Sequence, residues 1–296
     1  MLLWFWRAFE RREDVDLFVV GPFTGDWIPW TTVPGDTSGM RLPQKYVKTP
    51  NLPLTPGIPV MPVRAVEIQT KNWCDNPDLW LEIDAGYHFL DRPKAKVVAQ
   101  LQTDPHVLRG FYNQVKDKYD YVFTMQDCYR EEGEIYIPYA HDPTVHYPMR
   151  VDKEYDACLI GLHYPQRDEL VQRLRMQGLK VFYDLGLIMD EYRLMFNKSK
   201  IGLNWSTLKD LNARFFEIPA MGLPMITNHV PDAEKFLVNR EDYLEFETME
   251  EAEKFVMLLL DEEGMRNKIA TNGKNKIQTE TYDARVQQIL EVAKLI

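Results

Sequence analysis

Arg214 and Glu217 stand three residues apart in a segment whose residue types suit a charged, hydroxyl-rich ligand. On a helix that spacing puts both side chains on one face. A guanidinium there can neutralise a phosphate through paired hydrogen bonds, and a carboxylate can accept from two neighbouring hydroxyls. Both are needs of a nucleotide diphosphate. The residues just before them, Asn204, Ser206, Thr207, Asp210 and Asn212, add further polar groups. Phe215, inside the same segment, completes this candidate set.

The elements around these residues follow from the apolar pattern. Residues 201–205 form an apolar run that reads as a buried strand, and a polar loop and a helix of about two turns come next. Gly222 and Pro224 stop the helix, and residues 224–227 begin another buried strand. The polar loop thus lies at the carboxyl end of a strand and the amino end of a helix. Free N–H groups and the positive helix end gather there, and ligands of open α/β sheets bind there.

A second constellation has the same placement. Gly161-Leu-His-Tyr164-Pro-Gln-Arg167 follows a strand expected over 155–160 and opens a helix. Gly161 allows close backbone approach, and Arg167 can reach a diphosphate. In the first half, Thr103-Asp104-Pro-His106 follows a strand over 96–101. Asp104 either takes a proton from a reacting hydroxyl or caps the helix starting near His106. Ile83-Asp84-Ala-Gly86-Tyr-His88 is another strand end with an acid, and His141-Asp142 sits in a Pro-rich connector over 138–148.

The 296 residues suffice for two domains of about 150 each. A hydrophobic share of 45% is enough for packed cores. With 35 basic against 45 acidic residues the net charge is −10, which disfavours a broad phosphate-neutralising surface for nucleic acid but leaves room for a local basic groove. Cys74, Cys128 and Cys158 are widely spaced, as expected in a reducing cytoplasm. Residues 1–6 are too short for a signal core and read as a first strand, and no apolar stretch approaches a membrane span. Neither a His-Glu-x-x-His pair nor an Asp-x-Asp after a clear strand occurs, so no metal site is expected. The glycine-rich loops that hold ATP or NAD are also missing.

Along the chain, strands are expected at 16–20, 63–68, 79–83, 121–125, 134–137 and 180–183, and a short strand or loop near 243–246. Helices are expected at 106–118, 168–177, 189–197, 250–260, 261–272 and 282–296. Alternation of this kind gives mostly parallel sheets covered by helices. The Pro-, Gly- and Thr-dense stretch 21–62 reads either as an acceptor-binding or lid loop or as a surface decoration.

Asn212-x-Arg214-x-Phe216-Glu217-Ile218-Pro219-Ala220-x-Gly222-x-Pro224 resembles the carboxyl-terminal signature of group-1-like GT-B glycosyltransferases, in the branch related to spore-maturation proteins. Ile83-Asp-Ala-Gly86, Thr103-Asp-Pro-His106, Tyr119-Asp-Tyr-Val-Phe-Thr124, Pro138-Tyr-Ala-x-Asp-Pro143 and Arg285 extend the resemblance through most of residues 84–296. Residues 1–60 match weakly. The acid that this family carries eight positions before Glu217 is replaced by Lys209, with Asp210 next to it.

The resemblance implies an α/β fold of two Rossmann-like domains facing each other across a cleft. Residues 1–147 would form the acceptor side and 148–296 the nucleotide-sugar side, with the last helix crossing back to the first domain. It implies transfer from a nucleotide sugar, UDP-linked, with retention and without metal or other cofactor. Glu217 would hold the ribose, and Arg167 and Arg214 the diphosphate. Gly161, Tyr164, Asn204, Ser206, Asp210, Asn212 and Phe215 would complete the donor site. Asp104 and His106, with Glu217, would be catalytic, and Asp84, His88 and His141 would line the acceptor side. A nucleotide-sugar hydrolase or epimerase of the same fold, and a non-catalytic binding module, stay open. So does the acceptor: a glycan, a modified nucleobase, a protein or a small molecule.

Overall fold

A computed structural model describes residues 2–17, 27–29, 39–41, 76–83, 92–187 and 189–296. The chain divides into two compact units, one of residues 1–138 with 283–296 and one of residues 139–282. The expected strand at 63–68 and most of the 21–62 stretch lie outside the described residues, as do Cys74, Asp84 and His88.

In unit 1 the chain opens on a helix, α1 (Leu2–Glu10), where a strand was expected. Phe5, Ala8 and Phe9 are buried. Their spacing of three and four builds one helical face, whereas a half-buried strand buries alternate residues. Two short strands, β1 (Trp27–Pro29) and β2 (Gly39–Arg41), pair antiparallel within the 21–62 stretch. The main sheet is parallel, in the order β3 (Leu79–Ile83), β4 (Val97–Gln102), β5 (Tyr121–Thr124) and β6 (Ile135–Tyr136). Helix α2 (Pro105–Val115) follows β4.

Unit 2 is a five-stranded parallel sheet. Its elements run β7 (Tyr155–Ile160), α3 (Pro165–Met176), β8 (Val181–Asp184), α4 (Met189–Asn197), β9 (Ser199–Asn204), α5 (Arg214–Ala220), β10 (Met225–Asn228) and β11 (Leu244–Phe246). Helices α6 (Met249–Asp261) and α7 (Glu263–Ile277) follow. The capping box of Thr248 and Glu251 fixes the start of α6. Strand order β11-β10-β9-β7-β8 places the chain's first strand of the unit next to its second and third. That is a doubly wound order with its switch point between β7 and β9, the crevice where such sheets bind ligands. Ala157, Leu159, Ile201, Leu203, Ile226 and Leu244 supply the strand side of the core.

The last helix, α8 (Tyr282–Val292), carries Asp283 and Gln287 into unit 1. There Arg11 reaches both Asp283 oxygens at 2.7 and 2.8 Å, and Arg12 donates to Gln287 at 2.7 Å. Among the described residues no helix is long and apolar enough to cross a membrane.

Candidate functional site

The site grows from the carboxyl ends of β7, β9 and β10, on either side of the switch point. Beyond β7 the chain turns at Gly161, and a side chain added there would meet Arg214 Nη1 at 3.0 Å and Arg167 Nη1 at 3.1 Å. A β-carbon there would crowd the ends of two guanidiniums. Arg214, on the first turn of α5, donates from Nε to Asn204 Oδ1 at 3.0 Å and from Nη1 to the Ile160 carbonyl at 3.3 Å. Arg167, on the first turns of α3, donates to the Leu162 carbonyl at 2.9 Å and to the Trp205 carbonyl at 3.0 Å from Nε and again from Nη2. Its guanidinium also lies over the Tyr164 ring, 4.9 Å from the centroid.

These two cations reinforce each other's field. Arg167 is only 5% exposed. Burial, and then repulsion from Arg214, pushes its pKa down to about 10, so it stays charged at neutral pH. Among the described residues, neither Arg167 nor Arg214 has a carboxylate within 4.0 Å. Two like charges at a strand end, bound to neutral carbonyls and to one amide, form a receptacle for an anion.

The loop after β9 is clamped from the next strand. Asn228 accepts from the Ser206 N–H at 2.7 Å and donates to the Ser206 carbonyl at 2.9 Å, while Asn204 donates to Thr227 at 3.2 Å. Lys209, in left-handed backbone at φ 56°, turns the loop. Asp210 then accepts from the Ser206 hydroxyl at 2.5 Å, and its own N–H donates back to that hydroxyl at 2.8 Å. Asp210 therefore holds the loop closed. Thr207 Oγ1 and Asn212 Oδ1 in this loop are buried atoms with no protein hydrogen-bond partner.

Glu217 lies one turn deeper on α5 and is buried. Arg214 and Glu217 share a helix face, yet they do not pair. The carboxylate accepts from the Tyr192 hydroxyl at 2.6 Å, and His146 Nε2 is 3.7 Å from its other oxygen. Burial and the Glu217 charge raise the Tyr192 pKa well above its usual value, so the phenol remains a donor.

Two expectations are corrected here. The Phe215 ring does not line the loop: it is fully buried, edge-on to Phe216 and Tyr243. Asp104 starts α2, but its carboxylate makes no cap and instead accepts from Thr103 at 2.8 Å. In the same unit His106 keeps a buried Nδ1 without a protein partner, its ring 5.3 Å from that of Tyr129. His141 belongs to unit 2, where its backbone pairs with that of residues 280–282 at 3.1 Å. Sequence reasoning passed over His146, Tyr192 and Asn228. The only local hint was a second histidine in the Pro-rich connector.

Comparison with known proteins finds similar folds. A sucrose-phosphate synthase from Thermosynechococcus elongatus has a similar fold, with 12% identity over 78% of this chain and 76% of that one, at a TM-score of 0.55. Anabaena HepE, in a crystal structure with UDP and glucose, gives 12% identity over 68% and 72% of the two chains at a TM-score of 0.56. No curated protein matches the chain. Residues 147–291, which contain β7, β9 and β10 with Arg167, Arg214 and Glu217, match the model of the glycosyl transferase-like family.

Proposed function

We propose that unit 2 binds the donor of a glycosyltransferase that moves a sugar from a nucleotide diphosphate to an acceptor. The observation that carries this reading is the convergence of Arg167 and Arg214 on Gly161 with no carboxylate within 4.0 Å of either among the described residues. The match to the glycosyl transferase-like family over 147–291 supports it. So do the UDP and UDP-glucose held by the similarly folded HepE, from which we infer a UDP-linked donor.

In this reading the two guanidiniums hold the diphosphate, and the clamped loop from Ser206 to Asn212 lies against phosphate or sugar. Glu217 accepts from the ribose hydroxyls. As the bond between the sugar C1 and the phosphate oxygen breaks, the nucleotide leaves with added negative charge. Cations already fixed in place stabilise that charge without reorganising. The acceptor hydroxyl bonds to C1, and its proton passes to the leaving phosphate. Retention and independence of metal belong to the reading through the sequence resemblance.

The test is to incubate the protein, without added metal, with UDP-, GDP- and ADP-linked sugars and to measure released nucleotide, with calorimetry on the free diphosphates. One nucleotide should bind and one sugar nucleotide should turn over. Arg214→Met should weaken diphosphate binding about 10- to 100-fold, the loss of one hydrogen-bonded charge partner. Absence of binding by any nucleoside diphosphate would overturn the reading. Turnover that no acceptor accelerates would make the protein a hydrolase.

A further inference from the structure

A buried carboxylate with most of its hydrogen-bonding capacity unused calls for an explanation. Glu217 is 5% exposed, and a carboxylate offers about four acceptor positions. Among the described residues only the Tyr192 hydroxyl donates to it, and no lysine or arginine lies within 4.0 Å. Such a group, left in that state, costs stability. The two groups that flank it are themselves held with care.

His146 is fixed from behind. Its Nδ1 accepts the Asp142 N–H at 3.0 Å, so in the neutral ring the proton sits on Nε2, the nitrogen facing Glu217 Oε1. The turn that sets this up is closed on itself. The His146 N–H donates to the Asp142 carbonyl at 2.8 Å, and Thr144 donates to Asp142 Oδ1 from N at 2.9 Å and from Oγ1 at 2.7 Å. The same segment is bound to α4: Arg193 donates to the Val145 carbonyl at 3.1 Å, and Asn197 takes the Met149 N–H at 2.7 Å. Helix α4 also carries Tyr192, whose ring meets that of His146 edge-on at 5.9 Å. One helix therefore positions both flanking groups, one on each carboxylate oxygen.

We propose that His146 and Tyr192 are positioning residues that fix the Glu217 carboxylate so that its remaining lone pairs accept a ribose 2′,3′-diol. This rests on the nucleotide-sugar reading, in which Glu217 accepts the ribose hydroxyls, and adds to it the two residues that hold that carboxylate in place; the readout is the preference for a ribonucleoside diphosphate over its 2′,3′-dideoxy counterpart. Tyr192 holds Oε2 and leaves one lone pair of that oxygen free. His146 sets the side of Oε1 that is open to the second hydroxyl. A free carboxylate rotates about its last bond and loses the geometry for two hydroxyls at once.

The experiment measures dissociation constants by calorimetry for UDP and 2′,3′-dideoxy-UDP, with GDP and ADP and their dideoxy forms run alongside. Wild type, Tyr192→Phe and His146→Asn are compared. Phenylalanine keeps the ring packing and removes the hydroxyl. Asparagine keeps an acceptor for the Asp142 N–H and removes the group facing Glu217. Wild type should prefer the ribose form at least tenfold. Each variant should lose most of that preference, binding the ribonucleotide about tenfold more weakly while its affinity for the dideoxy form stays within twofold. Equal weakening of both ligands would mean that the two residues only support the fold, and would overturn the proposal. Unchanged preference in both variants would overturn it as well. A wild type that binds UDP and its dideoxy form equally removes the ribose role but leaves the diphosphate site standing. A wild type that binds no nucleotide removes both.

Discussion

Replacing Glu217 with alanine is expected to lower nucleotide-sugar turnover and nucleoside diphosphate affinity by about 100-fold. Two hydrogen bonds from ribose hydroxyls to a carboxylate are worth about 3 kcal/mol together at the low end of their range, and each 1.4 kcal/mol is a factor of ten. Stability should move much less. The alanine removes a buried charge whose desolvation is compensated by one hydroxyl, and the groups it leaves, the Tyr192 phenol and the His146 ring, are a neutral donor and an imidazole 3.7 Å away. Glu217→Gln separates charge from geometry, because the amide oxygen can still accept from Tyr192. It should retain part of the affinity, falling about tenfold. Released-nucleotide kinetics and calorimetry on all three proteins check this. Wild-type affinity in the alanine variant would show that the carboxylate touches no ligand.

The contrast with Arg214→Met is informative. Arg214 is half-buried beside a second cation, so its removal relieves like-charge repulsion on Arg167. The methionine variant should therefore lose far more ligand affinity than stability, the relief of repulsion offsetting part of the cost of leaving Asn204 Oδ1 without its donor, and its residual binding should depend less on ionic strength than that of the wild type.

How far the sequence shows this site depends on the range of each contact. Arg214, Glu217 and the loop from Ser206 to Asn212 lie within one short stretch, and the spacing of strand, loop and helix there follows from apolar runs and from Gly222 with Pro224. Arg167 was legible for the same reason, as a basic residue in the turn after a strand. His146 and Tyr192 were not. They reach Glu217 only because the connector folds onto α4, and no local pattern encodes that packing. Phe215 was misread for the opposite reason. It stands in the matched segment between Arg214 and Glu217, while the helix turns its ring into the core. In unit 1 the opening helix is not distinguishable from a strand in sequence, because six residues are too few to separate a period of 3.6 from a period of two once apolar residues fill every position.

The fit of α5 against the sheet rests on one residue without a side chain, and its replacement is expected to be strongly destabilising. Gly202 lies in β9, between β7 and β10, with Cys158 and Met225 as its register partners. A Cβ built on it would sit 2.3 Å from Ile218 Cγ2, and Ile218 is fully buried. In an open strand, alanine for glycine would stabilise by about 0.4–1 kcal/mol through the unfolded chain. Here the clash outweighs that gain, and Gly202→Ala is expected to destabilise by about 2–3 kcal/mol, the upper part of the range for overpacking. For a unit of this size that lowers Tm by roughly 4–12 °C. Ile218→Ala alone leaves a cavity and costs about 2–5 kcal/mol. The double variant should be more stable than the sum of the two, by about 1–3 kcal/mol, because each change fills the space or removes the atom that made the other costly. Strict additivity would show that β9 and α5 do not meet as described. The displacement has a functional consequence too, since Ile218 adjoins Glu217 and Gly202 is two residues before Asn204, the partner of Arg214. Measured well below its Tm, Gly202→Ala should bind nucleoside diphosphate more weakly than the double variant, in which helix and strand regain their separation.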